Sequence, residues 1–98
     1  MSFKISWSAT AKKTFNDNLA YLEKEWNEQV INDFLHRVKS VLGKVQKEPL
    51  LFPNYKIGTD IHKCTVTEQI TLYYKVEGKS VKLITFWNVY QNPKKLKL

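Results

Sequence analysis

The fold is decided by residues 70–87, which read ITLYYKVEGKSVKLITFW. Two runs rich in β-branched and aromatic residues, 70–76 and 81–87, flank the turn-forming residues Glu77-Gly78-Lys79. Such a pattern predicts two antiparallel strands joined by a tight turn. A hairpin of this kind needs further strands or helices to cover its apolar face, so the flanking sequence must supply them.

Strict alternation along these strands predicts which side chains share a face. In the second strand it assigns one face to Val81, Leu83, Thr85 and Trp87. The opposite face then carries Lys82, Ile84, Phe86 and Asn88. In the first strand Tyr73 and Tyr74 fall on opposite faces, so we expect one in the core and one at the surface.

The residues that precede this hairpin extend it into a sheet. Residues 61–67 form another strand candidate, and Glu68-Gln69 is expected to turn this strand into the one at 70–76. Three consecutive strands of this kind predict an antiparallel meander. Near the N-terminus, a further half-buried strand is predicted by the alternating apolar residues Phe3, Ile5 and Trp7.

Two amphipathic helices are predicted between the N-terminal strand and the meander. The first follows an N-cap at Ser8 or Thr10, and its apolar stripe consists of Phe15, Leu19, Leu22 and Trp26. The second follows Asn27, and its stripe consists of Ile31, Phe34, Leu35, Val38, Val41, Leu42 and Val45. Pro49 and Pro53 end it. The short join between the stripes predicts an antiparallel helical hairpin.

The predicted element order is therefore β-α-α-β-β-β, within a single domain that spans residues 1–98. Helices followed by consecutive strands define an α+β fold, in which an antiparallel sheet packs on an N-terminal helical hairpin. Because the helices cover one face of the sheet, the other face is expected to be open or concave. Lysines from alternating strand positions would lie on that face, which makes it the expected location of a functional site.

The composition limits the class of protein and its partners. The 98 residues carry 16 basic and 9 acidic side chains, a formal net charge of +7, and Arg37 is the only arginine. This excess of lysine suggests a nucleic acid, an anionic membrane surface or an acidic protein as partner, or simply a solubilising surface. The single cysteine, Cys64, favours a reducing compartment, and no apolar run is long enough to span a bilayer. We therefore expect a cytoplasmic protein with no membrane partner.

Five short segments, taken in order, resemble one known family. They are residues 5–11 (ISWSATA), 49–53 (PLLFP), 61–66 (IHKCTV), 71–76 (TLYYKV) and 86–96 (FWNVYQNPKKL). The last segment is similar to the common family ending F-D-N-R-Q-N-P-x-K-L. Together these segments span nearly the whole chain and resemble the RelE/ParE superfamily of bacterial toxins from type II toxin–antitoxin systems, which includes plasmid stabilisation proteins.

The resemblance implies a small basic toxin that an acidic antitoxin wraps and neutralises. RelE-like members cleave mRNA in the ribosomal A site, whereas ParE-like members inhibit DNA gyrase and lack the nuclease residues. The fold does not distinguish these activities, because function depends on the site. A RelE-like, ribosome-dependent mRNA interferase is our first hypothesis. A ParE-like gyrase inhibitor and a catalytically degenerate antitoxin-binding protein are the alternatives.

Metal-independent RNA cleavage needs groups that remove a proton from the 2′-OH, protonate the leaving 5′-oxygen and stabilise charge on the phosphorane. The resemblance places such groups on the concave strands and near the C-terminus. The expected catalytic residues are His62, Lys63 and Tyr90, and the nuclease hypothesis predicts that they converge on one concave surface. The expected ligands of RNA phosphates are Lys56, Lys75, Lys82, Lys94 and Lys95.

Each candidate residue also has a purely structural explanation. Histidine changes its charge near neutral pH, which suits acid–base chemistry, but His62 can equally be an ordinary strand residue. The strand lysines can form the solvated side of amphipathic strands. Tyr90 replaces the arginine of the family ending, and a phenol can stack on a base or share a proton without acting as a fixed cation. Alternatively, Tyr90 packs the C-terminal segment.

No cofactor or metal is expected. The sequence has no phosphate-binding loop, no GxGxxG motif and no Cys/His spacing typical of a metal site. Cys64 lies in the middle of a predicted strand, where a cysteine is expected to be a small core residue rather than a nucleophile.

Overall fold

The computed structural model describes residues 2–91, 93–96 and 98. Along that part of the chain the elements are β1 (Lys4–Trp7), α1 (Ala9–Glu25), α2 (Glu28–Lys47), β2 (Ile61–Thr65), β3 (Ile70–Glu77) and β4 (Ser80–Asn88). Short 3-10 turns lie at Pro49–Leu51 and Pro93–Lys95. The predicted order β-α-α-β-β-β is therefore confirmed.

Side-chain caps set where the two helices begin. The hydroxyl oxygen of Ser8 accepts a hydrogen bond from the Ala11 backbone N–H at 2.9 Å, which starts α1. The side-chain oxygen of Asn27 accepts one from the Val30 N–H at 3.1 Å, which starts α2. Most of the apolar stripe of each helix packs on one face of the sheet, so the helical hairpin forms one layer and the sheet the other. Trp26 and Leu35, predicted in these stripes, are instead 53% and 40% exposed.

The strands of the described residues lie in the order β1-β4-β3-β2. β2, β3 and β4 form the predicted antiparallel meander. β1 adds a parallel strand beside β4, with Ile5 next to Val81 and Trp7 next to Leu83, so the sheet as a whole is mixed. Parallel neighbours need a long crossover connection, and the helices and the rest of the meander supply it.

A β-bulge changes the predicted faces of β4. Consecutive residues of β3 pair with Leu83 and Thr85, so Ile84 is an extra residue in β4. The extra residue shifts the alternation by one position, and Phe86 joins Leu83 in the core. The prediction that Phe86 lies on the face opposite Leu83 is therefore wrong.

The core between the helices and the sheet is rich in aromatic side chains. Phe86 is 1% exposed, and its ring centroid lies 5.4 Å from that of Trp7 and 5.5 Å from that of Phe15. Phe15 in turn stacks on Phe34 of α2 at 5.8 Å. These contacts join β1, β4 and both helices, so the aromatic cluster fixes how the hairpin lies on the sheet.

α1 also covers the part of β4 that extends beyond β1. The Ser8 hydroxyl donates a hydrogen bond to the Ile84 carbonyl at 2.9 Å. The Thr14 hydroxyl oxygen accepts one from the Phe86 N–H at 2.9 Å, and the Asn18 amide donates one to the Phe86 carbonyl at 3.1 Å. Unpaired strand edges can pair with other chains. Here the three side chains form hydrogen bonds with the free backbone groups of β4 and so take the place of a neighbouring strand.

Replacing Thr14 by valine should lower the free energy of unfolding by about 1–3 kcal/mol, because the Phe86 N–H loses its acceptor while the shape of the side chain is kept. Urea unfolding followed by tryptophan fluorescence measures the change. Thr10→Val is the matched control, since Thr10 lies exposed on the same helix. Equal effects of the two substitutions would contradict a stabilising role for the hydrogen bond between Thr14 and the Phe86 N–H.

Candidate functional site

The sheet face turned away from the helices, which we call the outer face, carries a cluster of lysines. The register pairs Lys75 of β3 directly with Lys82 of β4, and Ile61 of β2 with Lys75. Lys63 lies two residues beyond Ile61 and is therefore the diagonal neighbour of Lys75, at a distance of about 7–8 Å. We call the three exposed residues Lys63, Lys75 and Lys82 the lysine cluster.

The outer face has a surplus of positive charge. Like charges directly opposite each other in a sheet reduce stability, and Lys75 faces Lys82 in this way. The Lys75 ammonium lies 3.8 Å from the Glu77 carboxylate, but both side chains are about half exposed, so solvent screens this ion pair. Lys4 of β1 adds a further cation to the same face. Such a surface fits a polyanion.

A pair of tyrosines lies beside the lysine cluster. Tyr73 is the β3 partner of Lys63, and Tyr55 reaches it from the loop that precedes β2. Their ring centroids are 5.5 Å apart and their planes are inclined by 83°, an edge-to-face contact. Burial, followed by the Tyr55 phenol, raises the pKa of Tyr73 above its ordinary value. At neutral pH the Tyr73 phenol therefore keeps its proton and can donate a hydrogen bond.

The tyrosine pair was not predicted from the sequence. Tyr73 and Tyr74 do lie on opposite faces, but the expectation that one of them would be exposed is wrong, because they are only 9% and 0% exposed. Tyr55 covers Tyr73 from a separate segment of the chain, and no local pattern reveals that contact. The only hint was the aromatic residue Tyr55 in the short stretch between Pro53 and Gly58.

His62 lies on the helix side of the sheet. It is 4% exposed, and its ring stacks on Tyr74 with centroids 5.4 Å apart and planes inclined by 12°. Its Nδ1 atom lies 2.8 Å from the Phe52 carbonyl oxygen. The expected convergence of His62 with Lys63 is not found, because consecutive residues of a strand point to opposite faces.

Tyr90 lies beyond the end of the sheet. It is 76% exposed, and its backbone N–H donates to the Asn88 side-chain oxygen at 2.9 Å. The Val89 N–H donates to the Gln69 carbonyl at 2.8 Å, which places this segment beside the turn between β2 and β3. Tyr90 therefore lies beyond the end of the sheet that carries the β2–β3 turn, whereas Lys63 lies in the middle of its strand.

The other predicted phosphate ligands also lie outside the lysine cluster. Lys56 is exposed in the loop before β2, at the end of the sheet opposite Tyr90. Lys94 and Lys95 are exposed in the C-terminal 3-10 turn, and Lys95 lines a cleft of about 370 Å³ between α1 and the end of β4. Asn92, part of the segment that resembles the family ending, lies outside the described residues.

Cys64 is a core residue, as predicted. It is 5% exposed, and burial raises the pKa of its thiol to about 11, an effect that Lys44 partly opposes. The thiol therefore stays protonated at neutral pH and is a poor nucleophile.

Two negative findings concern the described residues. Among them, no three His, Cys, Asp or Glu side chains lie close enough together to hold a metal ion. None of the helices described there has the length and apolar character needed to cross a bilayer.

No known family model and no curated protein matches this sequence. Solved structures do match. A chain of the chromosomal ParDE TA system from P. aeruginosa aligns with a TM-score of 0.73 at 8% identity, covering 88% of this chain and 95% of that one. A chain of the E. coli DinJ–YafQ toxin–antitoxin complex gives 0.63 at 11% identity, with coverages of 92% and 96%. The YoeB dimer from Staphylococcus aureus gives 0.60 at 13% identity, with coverages of 87% and 94%.

These structural neighbours are toxins of the RelE/ParE type. The chain has the RelE/ParE-like fold, with the order β-α-α-β-β-β and a helical hairpin packed on one face of the sheet. Identities of 8–13% establish the fold alone. The resemblance seen in the sequence is therefore confirmed at the level of the fold.

Proposed function

We propose that this chain is the toxin of a type II toxin–antitoxin system and that an acidic antitoxin neutralises it. Two observations support the proposal. The solved structures with the same fold include toxin–antitoxin complexes such as DinJ–YafQ and YoeB–YefM. The net charge of +7 on 98 residues favours association with an acidic protein.

The target that the geometry supports best is mRNA on the ribosome, bound across the outer face. The observation that carries this proposal is the lysine cluster, in which Lys75 and Lys82 face each other despite the cost in stability. Single-stranded RNA needs cations for its phosphates and aromatic rings for its bases. Lys63 and the Tyr55–Tyr73 pair place both kinds of group on one surface.

The same residues suit slow cleavage of RNA. The ammonium groups of the lysine cluster can stabilise the negative charge that develops on the phosphorane. Tyr73 is only 9% exposed and its raised pKa makes it a weak proton donor, so the leaving 5′-oxygen takes its proton mainly from water. His62, expected as acid or base, lies on the other side of the sheet and is 4% exposed. The 2′-OH must then lose its proton to water as it attacks the phosphorus, without help from this imidazole, and we expect a slow, RelE-like endoribonuclease.

A second candidate is a ParE-like toxin that inhibits DNA gyrase without nuclease chemistry. The observation that favours it is the position of Arg37, the only arginine, which lies on α2 and so away from the outer face. A site without a guanidinium lacks a bidentate ligand for phosphate, which weakens the case for RNA cleavage. A catalytically degenerate protein that only binds its antitoxin would likewise lack a guanidinium on the outer face.

Adding the purified protein to a bacterial translation extract tests the first candidate. We expect protein synthesis to fall and primer extension to reveal new 5′ ends in mRNA that is being translated. Lys63→Ala should reduce both effects about 10-fold or more, whereas Lys39→Ala, which removes an exposed lysine from α2, should reduce neither. Unchanged translation together with inhibition of gyrase supercoiling would overturn the first candidate and support the second.

A further inference from the structure

The segment between α2 and β2 runs along the free side of β2. Asn54 forms a β-bridge with His62. The Lys63 N–H donates to the Pro53 carbonyl at 2.9 Å, and the Tyr55 N–H donates to the Ile61 carbonyl at 2.7 Å. Residues 53–55 thus act as a short extra strand, and Tyr55 is the residue through which this segment reaches the outer face.

His62 holds the start of the same segment from the helix side of the sheet. A carbonyl oxygen can only accept a hydrogen bond, so the Nδ1 atom of His62 carries the hydrogen and donates it to Phe52 at 2.8 Å. The imidazole is kept in place by stacking on Tyr74. The Tyr74 hydroxyl donates a hydrogen bond to the Pro49 carbonyl at 2.6 Å, which fixes the 3-10 turn directly before Phe52.

We infer that His62 is a positioning residue for the outer face: its hydrogen bond to Phe52 holds residues 52–55 against β2 and so places the Tyr55 ring against Tyr73. This inference deepens the proposed function, on which its consequence for RNA binding rests. Within the described residues, no hydrogen bond or ring contact joins the His62 side chain to Tyr55 or to the lysine cluster. Its effect passes through the backbone from Phe52 to Tyr55.

The geometry distinguishes this role from simple packing. A residue that only filled the core would need a ring of the right size, which phenylalanine also provides. The positioning role needs the Nδ1–H donor as well, and asparagine can offer an N–H at nearly the same place. His62→Phe therefore removes the donor and keeps the ring, whereas His62→Asn keeps the donor and loses the ring.

Hydrogen exchange measured residue by residue by NMR tests the inference directly. In His62→Phe we expect the Tyr55 and Lys63 amides to exchange at least about 10-fold faster, while core amides such as Leu72 stay protected. His62→Asn should restore slow exchange at Tyr55 and Lys63. Unchanged exchange at these two amides in His62→Phe, or equal acceleration in both variants, would overturn the positioning role.

RNA affinity tests the functional consequence separately. His62→Phe should weaken binding of a single-stranded RNA oligonucleotide about 10-fold, which corresponds to a stacking contact. In a Tyr55→Ala background the same substitution should change affinity less than about 2-fold, because the ring that His62 positions is already absent. Additive effects of the two substitutions would contradict the inference.

Failure of the wild-type protein to bind RNA would refute the proposed function, while the exchange measurement would still decide whether His62 positions Tyr55.

Discussion

Replacing Lys63, Lys75 and Lys82 together by alanine should weaken the binding of single-stranded RNA by at least about 100-fold at low salt. The three ammonium groups lie on neighbouring strands, with Lys75 opposite Lys82 and diagonal to Lys63. One RNA strand that crosses the sheet can therefore meet all three. Fluorescence anisotropy with a labelled oligonucleotide measures the loss.

The salt dependence makes this prediction specific. Each phosphate contact with a single strand contributes about 0.7 to the slope of log affinity against log salt concentration, so the triple substitution should reduce that slope by about 2. The matched control replaces three exposed helix lysines, Lys12, Lys24 and Lys39, and removes the same net charge. If both triple variants lose affinity equally, the effect is that of net charge, and the outer face is not the binding site.

Replacing Phe86 by alanine should lower the free energy of unfolding by about 3–5 kcal/mol. Phe86 is 1% exposed and contacts the rings of Trp7 and Phe15, so the substitution leaves a cavity where β1, β4 and α1 meet. A small domain has only about 5–15 kcal/mol of stability in total, so the variant is expected to be close to unfolding at 37 °C. Urea unfolding gives the change in free energy.

Two controls separate the cavity from other effects. Phe86→Leu keeps most of the apolar volume and should cost clearly less than Phe86→Ala. Tyr90→Ala removes an aromatic side chain of similar size that is 76% exposed, and should change stability by less than about 0.5 kcal/mol. A small effect of Phe86→Ala would contradict the assignment of Phe86 to the core face, and with it the bulge at Ile84.

Elements with a strong local pattern could be predicted from the sequence. The apolar stripes of α1 and α2 repeat at helical spacing, and the caps Ser8 and Asn27 precede them. The hairpin of β3 and β4 surrounds Gly78, which has a positive φ of 61° that suits glycine. Local chemistry determines each of these features, so one sequence is enough to find them.

Features that depend on distant contacts were missed. The parallel pairing of β1 with β4 joins residues separated by most of the chain. The bulge at Ile84 leaves no mark on the composition of β4, yet it decides that Phe86 lies in the core. Once one extra residue is inserted, every later residue of the strand changes face.

The candidate site was only partly predictable for the same reason. Alternation predicted that strand lysines lie on the open face, and the register brings Lys63, Lys75 and Lys82 together there. The prediction that His62 and Lys63 lie on one surface conflicts with that same alternation, because the two residues are consecutive in one strand. Tyr55 could not be found from the sequence, since its contact with Tyr73 depends on how the loop before β2 folds back.

Pulse labelling after controlled induction in a bacterial host tests the central claim most directly. Incorporation of methionine and of thymidine is followed separately for the wild-type chain and for the variant with Lys63, Lys75 and Lys82 replaced by alanine. A toxin that acts on mRNA through its outer face should cause an early fall in methionine incorporation, and the triple variant should abolish this fall. An early fall in thymidine incorporation with translation intact would contradict the account and point to gyrase instead.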